Sequence, residues 1–127
     1  MLKKENMSYV CVIKHKSMRK TEQFTFQEQE LAVLSRVLSH PARLAILKFL
    51  AETECCISGD ISNEIPLSRT TVSQHLSELK NAGLIKGEIE GVKVSYCLDH
   101  AKISNVAEQF NEFFSSILNH KKPSCTL

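Results

Sequence analysis

Apolar residues along this chain fall into short periodic runs whose spacing changes from about 3.6 residues to 2 and back, and the runs order the fold before composition is considered. From Gln27 to Leu38, Leu31, Leu34, Val37 and Leu38 mark a helical stripe. The stretch "SHPARLAILKFL" starts a second helix, with Pro41 at a first helical position and Leu44, Leu47 and Leu50 expected on the inward side. A short helix is expected near Gly59–Ile65, with Ser58 as its N-cap and Ile61 and Ile65 as anchors; Pro66 ends it. Ser68 can cap the next helix, which runs to about Ala82, where Gly83 supplies a left-handed exit. Alternation then takes over: Leu84, Ile85 and Ile89, followed by Val94, Tyr96 and Leu98, predict a β-hairpin turning at Glu90–Gly91. A last amphipathic helix, Ala101–His120, carries Ile103, Val106, Phe110, Phe113, Phe114 and Ile117.

Helix, helix, helix–turn–helix, hairpin and helix is the plan of a winged helix–turn–helix domain: mostly α with a small β-hairpin (α+β), with extra helices at both ends. The chain divides into an N-terminal arm (1–25), this domain (26–120) and a C-terminal tail (121–127). At 127 residues it accommodates one such domain and not two.

The helix after Ser68 meets two demands at once. Val72, Leu76 and Leu79 form its buried stripe. The opposite sector gathers Thr70, Gln74, Ser77 and Asn81, with Arg69 and Ser73 on a flank and Lys80 near the end. A merely solvated helix would mix Glu and Lys there; hydroxyls and amides instead suit base edges. Gln pairs with adenine, Arg with guanine, and Ser or Thr serves base or phosphate. Ser68, Arg69, Thr70, Thr71, Ser73, Gln74, Ser77 and Lys80 are therefore the candidate DNA-contacting residues on this helix. His75 lies on the shoulder of the buried sector and reads as a packed histidine, and Glu78 would repel phosphate. Lys86 and Lys93, on either side of the hairpin turn, are candidate backbone contacts of the wing, against the opposing charge of Glu88 and Glu90.

Composition adds limits. Apolar residues make up 43% and charged residues 24%, as in an ordinary soluble globular protein, and no apolar run approaches a membrane span. With no signal peptide legible at the start, a cytoplasmic location is expected. The formal charge of +2 does not by itself announce a nucleic-acid partner, although residues 1–20 hold six Lys or Arg against one Glu. Five cysteines without a CxxC pair argue against a zinc finger or a disulfide framework; Cys97, in a strand, reads as a small buried apolar residue, and Cys125 has no assigned role. No nucleophile has an obvious partner, so an enzyme is not expected.

The motifs "LSHPARLAILKFL", "LSRTTVSQHLSELKNAGLI" and "GEIEGVKVSYCL" resemble those of the ArsR/SmtB family of bacterial winged-helix transcriptional repressors, over about Gln27 to His120. The resemblance implies a homodimer, its first and last helices packing across the two-fold axis through Leu31, Leu34, Phe110, Phe113, Phe114 and Ile117. It also implies binding to an inverted-repeat operator in double-stranded DNA. Some relatives release DNA when a metal or metalloid binds cysteines near the start of the third helix and in the arm. The matching residues are Cys11, Cys55 and Cys56, with Ser58 standing where a second Cys is usual. A second family site on the last helix lacks its histidine pattern: Asp99 and His100 are adjacent, and Glu108 and Glu112 have no paired histidine. No cofactor is expected to be required. A redox or other effector, or a protein-interaction module that does not bind DNA, are the competing readings.

Overall fold

The computed structural model describes residues 23–53, 57–58, 61–90 and 93–120. The first helix, α1 (Phe26–Leu38), begins at a reciprocal cap: the Glu28 N–H donates to the Thr25 hydroxyl at 3.2 Å, and the Thr25 N–H donates to the Glu28 carboxylate at 2.9 Å. It buries Leu31, Leu34 and Val37. Helix α2 (Pro41–Glu52) follows at once. Proline at its first position loses no intrahelical bond, and His40 caps it, Nδ1 accepting from the Ala42 N–H at 3.1 Å.

The inward face of α2 differs from the expected one. Ala42, Ile46 and Leu50 are buried, Leu47 is partly covered, and Leu44 is 51% exposed. A three-residue repeat retreats about 60° per step on a helix with 100° per residue, whereas a four-residue step advances only about 40°. The Leu44–Leu47–Leu50 series thus spreads over about 120° of the helix and the Ala42–Ile46–Leu50 series over about 80°, and the neighbouring elements cover the narrower one.

A two-residue strand, β1 (Ile57–Ser58), precedes a single 3-10 turn at Ile61–Asn63. Ser58 is thus a strand residue and not a helix cap. The expected short helix contracts to that turn, although its anchors Ile61 and Ile65 are both buried as expected. The Leu67 N–H closes onto the Ile65 carbonyl at 2.7 Å around Pro66, and the chain enters α3 (Arg69–Asn81) at Ser68.

Helix α3 ends where Gly83 was expected to turn it. Gly83 has φ +79°, its N–H donates to the Lys80 carbonyl at 2.9 Å, and the Leu84 N–H donates to the Leu79 carbonyl at 3.1 Å. This is the Schellman arrangement, and its accompanying hydrophobic contact is the fully buried pair Leu79 and Leu84.

The hairpin comprises β2 (Ile85–Glu90) and β3 (Lys93–Leu98), antiparallel, with Ile85 opposite Leu98 and Glu90 opposite Lys93. Glu90 still belongs to the ladder, so it is a strand residue and not, as expected, part of the turn. The sheet has three strands in the order β1-β3-β2. Helix α4 (His100–Asn119) starts from Asp99, whose carboxylate accepts from the Lys102 N–H at 3.0 Å; the Asp99 N–H donates to the Leu84 carbonyl and ties the helix to the base of the hairpin.

One apolar cluster joins these elements: Leu34 and Val37 from α1, Ile46 and Leu50 from α2, Ile61 and Ile65 from the turn, Val72, Leu76 and Leu79 from α3, Leu84 and Ile85 below the hairpin, and Val106 from α4. The architecture is a winged helix–turn–helix, mostly helical, with flanking helices α1 and α4 in contact.

Candidate nucleic-acid interface

The start of α3 is held by its own hydroxyls. The Ser68 Oγ accepts from the Thr71 N–H at 3.3 Å and shares a 2.8 Å hydrogen bond with the Thr71 hydroxyl. Of the residues expected to meet DNA, Ser68 and Thr71 therefore also shape the helix end, and Thr71 is half-buried. Beyond them the two faces separate. Val72, His75, Leu76 and Leu79 are buried; Arg69, Thr70, Ser73, Gln74, Ser77, Lys80 and Asn81 are exposed. Burial of the first set in the common core fixes the direction of the second.

His75 is the pin beneath this face. Its ring lies 4.2 Å, centroid to centroid, from that of His40 at a tilt of 42°, linking the start of α2 to the middle of α3. Burial, then the neighbouring His40 and Arg43, push its pKa below the ordinary histidine value, against the smaller opposing pull of Glu78. A neutral, 9% exposed histidine packs the helix and does not reach a base. The His75 Nε2 and Arg43 Nε atoms are buried without hydrogen-bond partners among the described residues; the Arg43 Nη2 donates to the Arg36 carbonyl at the end of α1.

The basic candidates are spread unequally over the wing. Lys86 is opposite Cys97 at the base of the hairpin and forms an ion pair with Asp99 at 3.6 Å. The N–H of Lys102, and secondarily Lys86, hold the Asp99 carboxyl below the usual carboxylate range despite burial. Lys93 occupies the last ladder position, toward the tip. Lys80 reaches from α3 across β2: a Cβ on Gly87 would stand 3.2 Å from the Lys80 Nζ and 3.3 Å from the Tyr96 ring. Glycine at position 87 leaves room for that crossing.

The residues expected at a dimer interface fall into two groups. Leu31 and Leu34 are 7% and 4% exposed in the single chain, taken up by its own core, and Phe110 is packed against that core. Phe113, Phe114 and Ile117 remain open, at 38%, 55% and 52%, and Leu118 extends the stripe at 77%. Sequence reading passed over Leu118, although it stands four residues after Phe114 and so on the same side.

Cys97 departs from expectation. It is half-buried and disulfide-bonded, not a free apolar thiol. Cys11, Cys55, Cys56 and Cys125 lie outside the described residues, and among the described residues no three His, Cys, Asp or Glu side chains gather as a metal site. Nor does any described helix have the length and apolarity to cross a membrane.

Residues 40–86 match the model of the bacterial regulatory protein arsR family. The chain is 35% identical over 92 residues to the HTH-type transcriptional regulator CmtR of Mycobacterium tuberculosis H37Rv, covering 72% of this chain and 75% of that protein. It is 32% identical over 110 residues to the cadmium resistance transcriptional regulatory protein CadC of Listeria innocua, covering 85% and 92%. Among solved structures, an ArsR-like transcriptional regulator from Rhodococcus sp. RHA1 superimposes with a TM-score of 0.62 over 75% of this chain and 89% of that one, at 23% identity, and shares the fold. With a helix–turn–helix, a wing and relatives of this similarity, the chain belongs to the arsR family of bacterial regulatory proteins and is a transcriptional regulator.

Proposed function

We propose that the protein is a homodimeric repressor that binds an inverted-repeat operator, inserting the outward face of α3 into the major groove once per subunit. The observation that carries this reading is the exposed row Thr70, Ser73, Gln74 and Ser77, uncharged hydrogen-bonding side chains on a helix whose other face is locked into the core. Gln74 and Arg69 are the base readers, Ser68, Thr70, Thr71, Ser73 and Ser77 serve base or phosphate, and Lys80, Lys86 and Lys93 meet the backbone. Two such helices about 34 Å apart match successive major grooves on one side of the duplex. Work on DNA puts the protein in the bacterial cytoplasm.

The test is a gel shift with operator and random duplexes across a salt series. Thr70→Ala with Gln74→Ala should lose the preference for operator, each lost base contact costing ~1–3 kcal/mol, while the fold is retained by circular dichroism. Equal weakening on both duplexes would make these residues backbone positioners. An absence of binding to any duplex at low salt would instead favour a protein-interaction module.

CadC is by name a cadmium resistance regulator; carried to this chain, the effector is a thiophilic metal or metalloid, held by thiolates of Cys11, Cys55 and Cys56, the donor type soft ions select. The last helix does not suit the family's second site, since the Asp99 carboxylate is committed to the Lys102 N–H and to Lys86. Titrating reduced protein with cadmium, while following thiolate absorbance and DNA release together, tests the thiolate set; absorbance without release would make it incidental.

A further inference from the structure

Two histidine rings and an arginine that the reading face does not use meet where α2 packs on α3. His40 caps α2, its Nδ1 accepting from the Ala42 N–H at 3.1 Å. A ring nitrogen that accepts carries no proton, so the neutral His40 ring holds its hydrogen on Nε2. A proton added at Nδ1 would turn the acceptor into a donor and abolish the cap. The His75 ring stands 4.2 Å away, centroid to centroid, on the buried side of α3, and its Nε2 is buried without a hydrogen-bond partner among the described residues. Arg43 adds a permanent cation. Its Nε is likewise buried and unpartnered, and its Nη2 donates to the Arg36 carbonyl at the end of α1. Among the described residues, the groups whose charge acts on His75 are His40 and Arg43 from α2 and Glu78 from α3 itself; none comes from β2 or the Ile61–Asn63 turn, which also pack on α3. Only Glu78, which is exposed, favours a proton there.

We propose that His40 and His75 form a proton-sensitive joint between α2 and α3, which fixes the direction of the reading face when both rings are neutral and yields in acid, releasing the operator. The closed joint has no place for an extra proton. On His40 it removes the α2 cap; on His75 it puts a charge in a buried site beside Arg43, with Nε2 a donor that lacks an acceptor. The orphaned Nε2 and the Arg43 Nε leave the closed joint little reserve. In a loosened joint His75 meets water and takes its proton near the ordinary value of 6.5. The loosened form therefore binds more protons than the closed one, and falling pH favours it from 6.5 downward. Val72, Leu76 and Leu79 stay in the core throughout, so α3 shifts against α2 without unfolding. The sign is opposite to the general effect of acid, because protons added elsewhere on the surface make the chain more cationic and strengthen its contacts with phosphate. His40 and His75 are thus positioning residues for the α3 face. The consequence for DNA rests on the function proposed above; the joint itself does not.

The test follows the full-length protein from pH 7.5 to 5.5 at constant ionic strength, with operator and random duplexes read by fluorescence anisotropy. Wild-type affinity for operator should fall at least ~3-fold, the ceiling being about tenfold per pH unit for each additional proton a subunit takes up, while affinity for the random duplex holds or rises. His75→Leu removes the buried ring, and His40→Asn keeps a capping side chain that does not titrate; each should flatten the operator profile. Circular dichroism should show equal helix content at both ends of the range. An operator affinity that rises or stays level in acid, an equal fall in both variants, or a fall that tracks loss of helix overturns the proposal. Without DNA, the His75 ring resonances should titrate below 6.5 and the Ala42 amide should shift as acid removes its acceptor. A His75 that titrates at or above 6.5, or an Ala42 amide indifferent to pH, overturns the joint. Failure of the wild type to bind any duplex at pH 7.5 counts against the DNA-binding reading instead, because the resonances decide the joint independently.

Discussion

One residue within α3 and one just past its end set the terms on which the reading face is held. Gly83 ends the helix at φ +79°, and a Cβ added there would meet only the flexible Lys102 chain at 3.8 Å. Space is therefore not the issue, and the cost of Gly83→Ala is backbone strain alone, about 1–2 kcal/mol. Urea denaturation should show that loss, with operator specificity kept by the molecules that remain folded. His75 gives a pH signature. Its lowered pKa means that the native state binds fewer protons than the unfolded chain. Stability should be intact above the ordinary histidine value of 6.5 and decline as pH falls below it toward the lowered native value. His40 and Arg43, facing His75, steepen the decline, and Glu78 moderates it. Asp99 does not blur this window, because the stability held by its depressed pKa is lost as pH falls through the ordinary carboxylate value of 3.8 toward the lower native one. Denaturation midpoints measured between pH 7.5 and 5 should fall for the wild type, and His75→Leu should flatten the slope. An equal slope in both proteins would relieve His75 of the role.

At the scale of elements, α2 offers the sharpest contrast between pattern and packing. Ile46 is fully buried and Leu44 is half exposed, so Ile46→Ala should cost ~2–5 kcal/mol while Leu44→Gln stays within about 0.5 kcal/mol. The reverse ranking in thermal or urea unfolding would show that the helix is rotated from the described position. The same helix shows why its existence was legible and its facing was not. Pro41 and the apolar density announce a helix, but leucines three apart and an alanine–isoleucine–leucine series four apart compete for the inward side, and only the neighbouring elements decide. Helix α3 posed no such competition. Ser68, the Val72–Leu76–Leu79 stripe and Gly83 all point to one boundary and one face, and the structure keeps them. Strand β1 escaped notice because two residues cannot display an alternation; what makes Ile57–Ser58 a strand is the open edge of β3. Leu31 and Leu34 are buried in the single chain, which one helix's apolar stripe could not tell, since it does not say whether its own chain or another covers it.

The molecule as a whole leaves Phe113, Phe114, Ile117 and Leu118 uncovered toward the end of α4, while Val106, nearer the start of that helix, is buried in the core. With a formal charge of only +2, the chain has little general attraction for a polyanion, and in the dimeric reading proposed above engaging two half-sites at once would add to its affinity. Linking two modest binding events raises overall affinity by a factor of 10²–10⁴ when the geometry allows both. The uncovered stripe is what a second copy would bury to supply that linkage. Phe114→Glu with Ile117→Glu places two like charges on this stripe and touches no core residue. The variant should sediment as a folded monomer at micromolar concentration where the wild type should sediment as a dimer, and its operator affinity should drop at least ~100-fold. Binding to a single half-site should change little, because the α3 face is untouched. A variant that stays dimeric would move the interface elsewhere on the chain. A monomer that keeps full operator affinity would show that one reading helix and one wing suffice, and the two-fold operator would then have no physical basis.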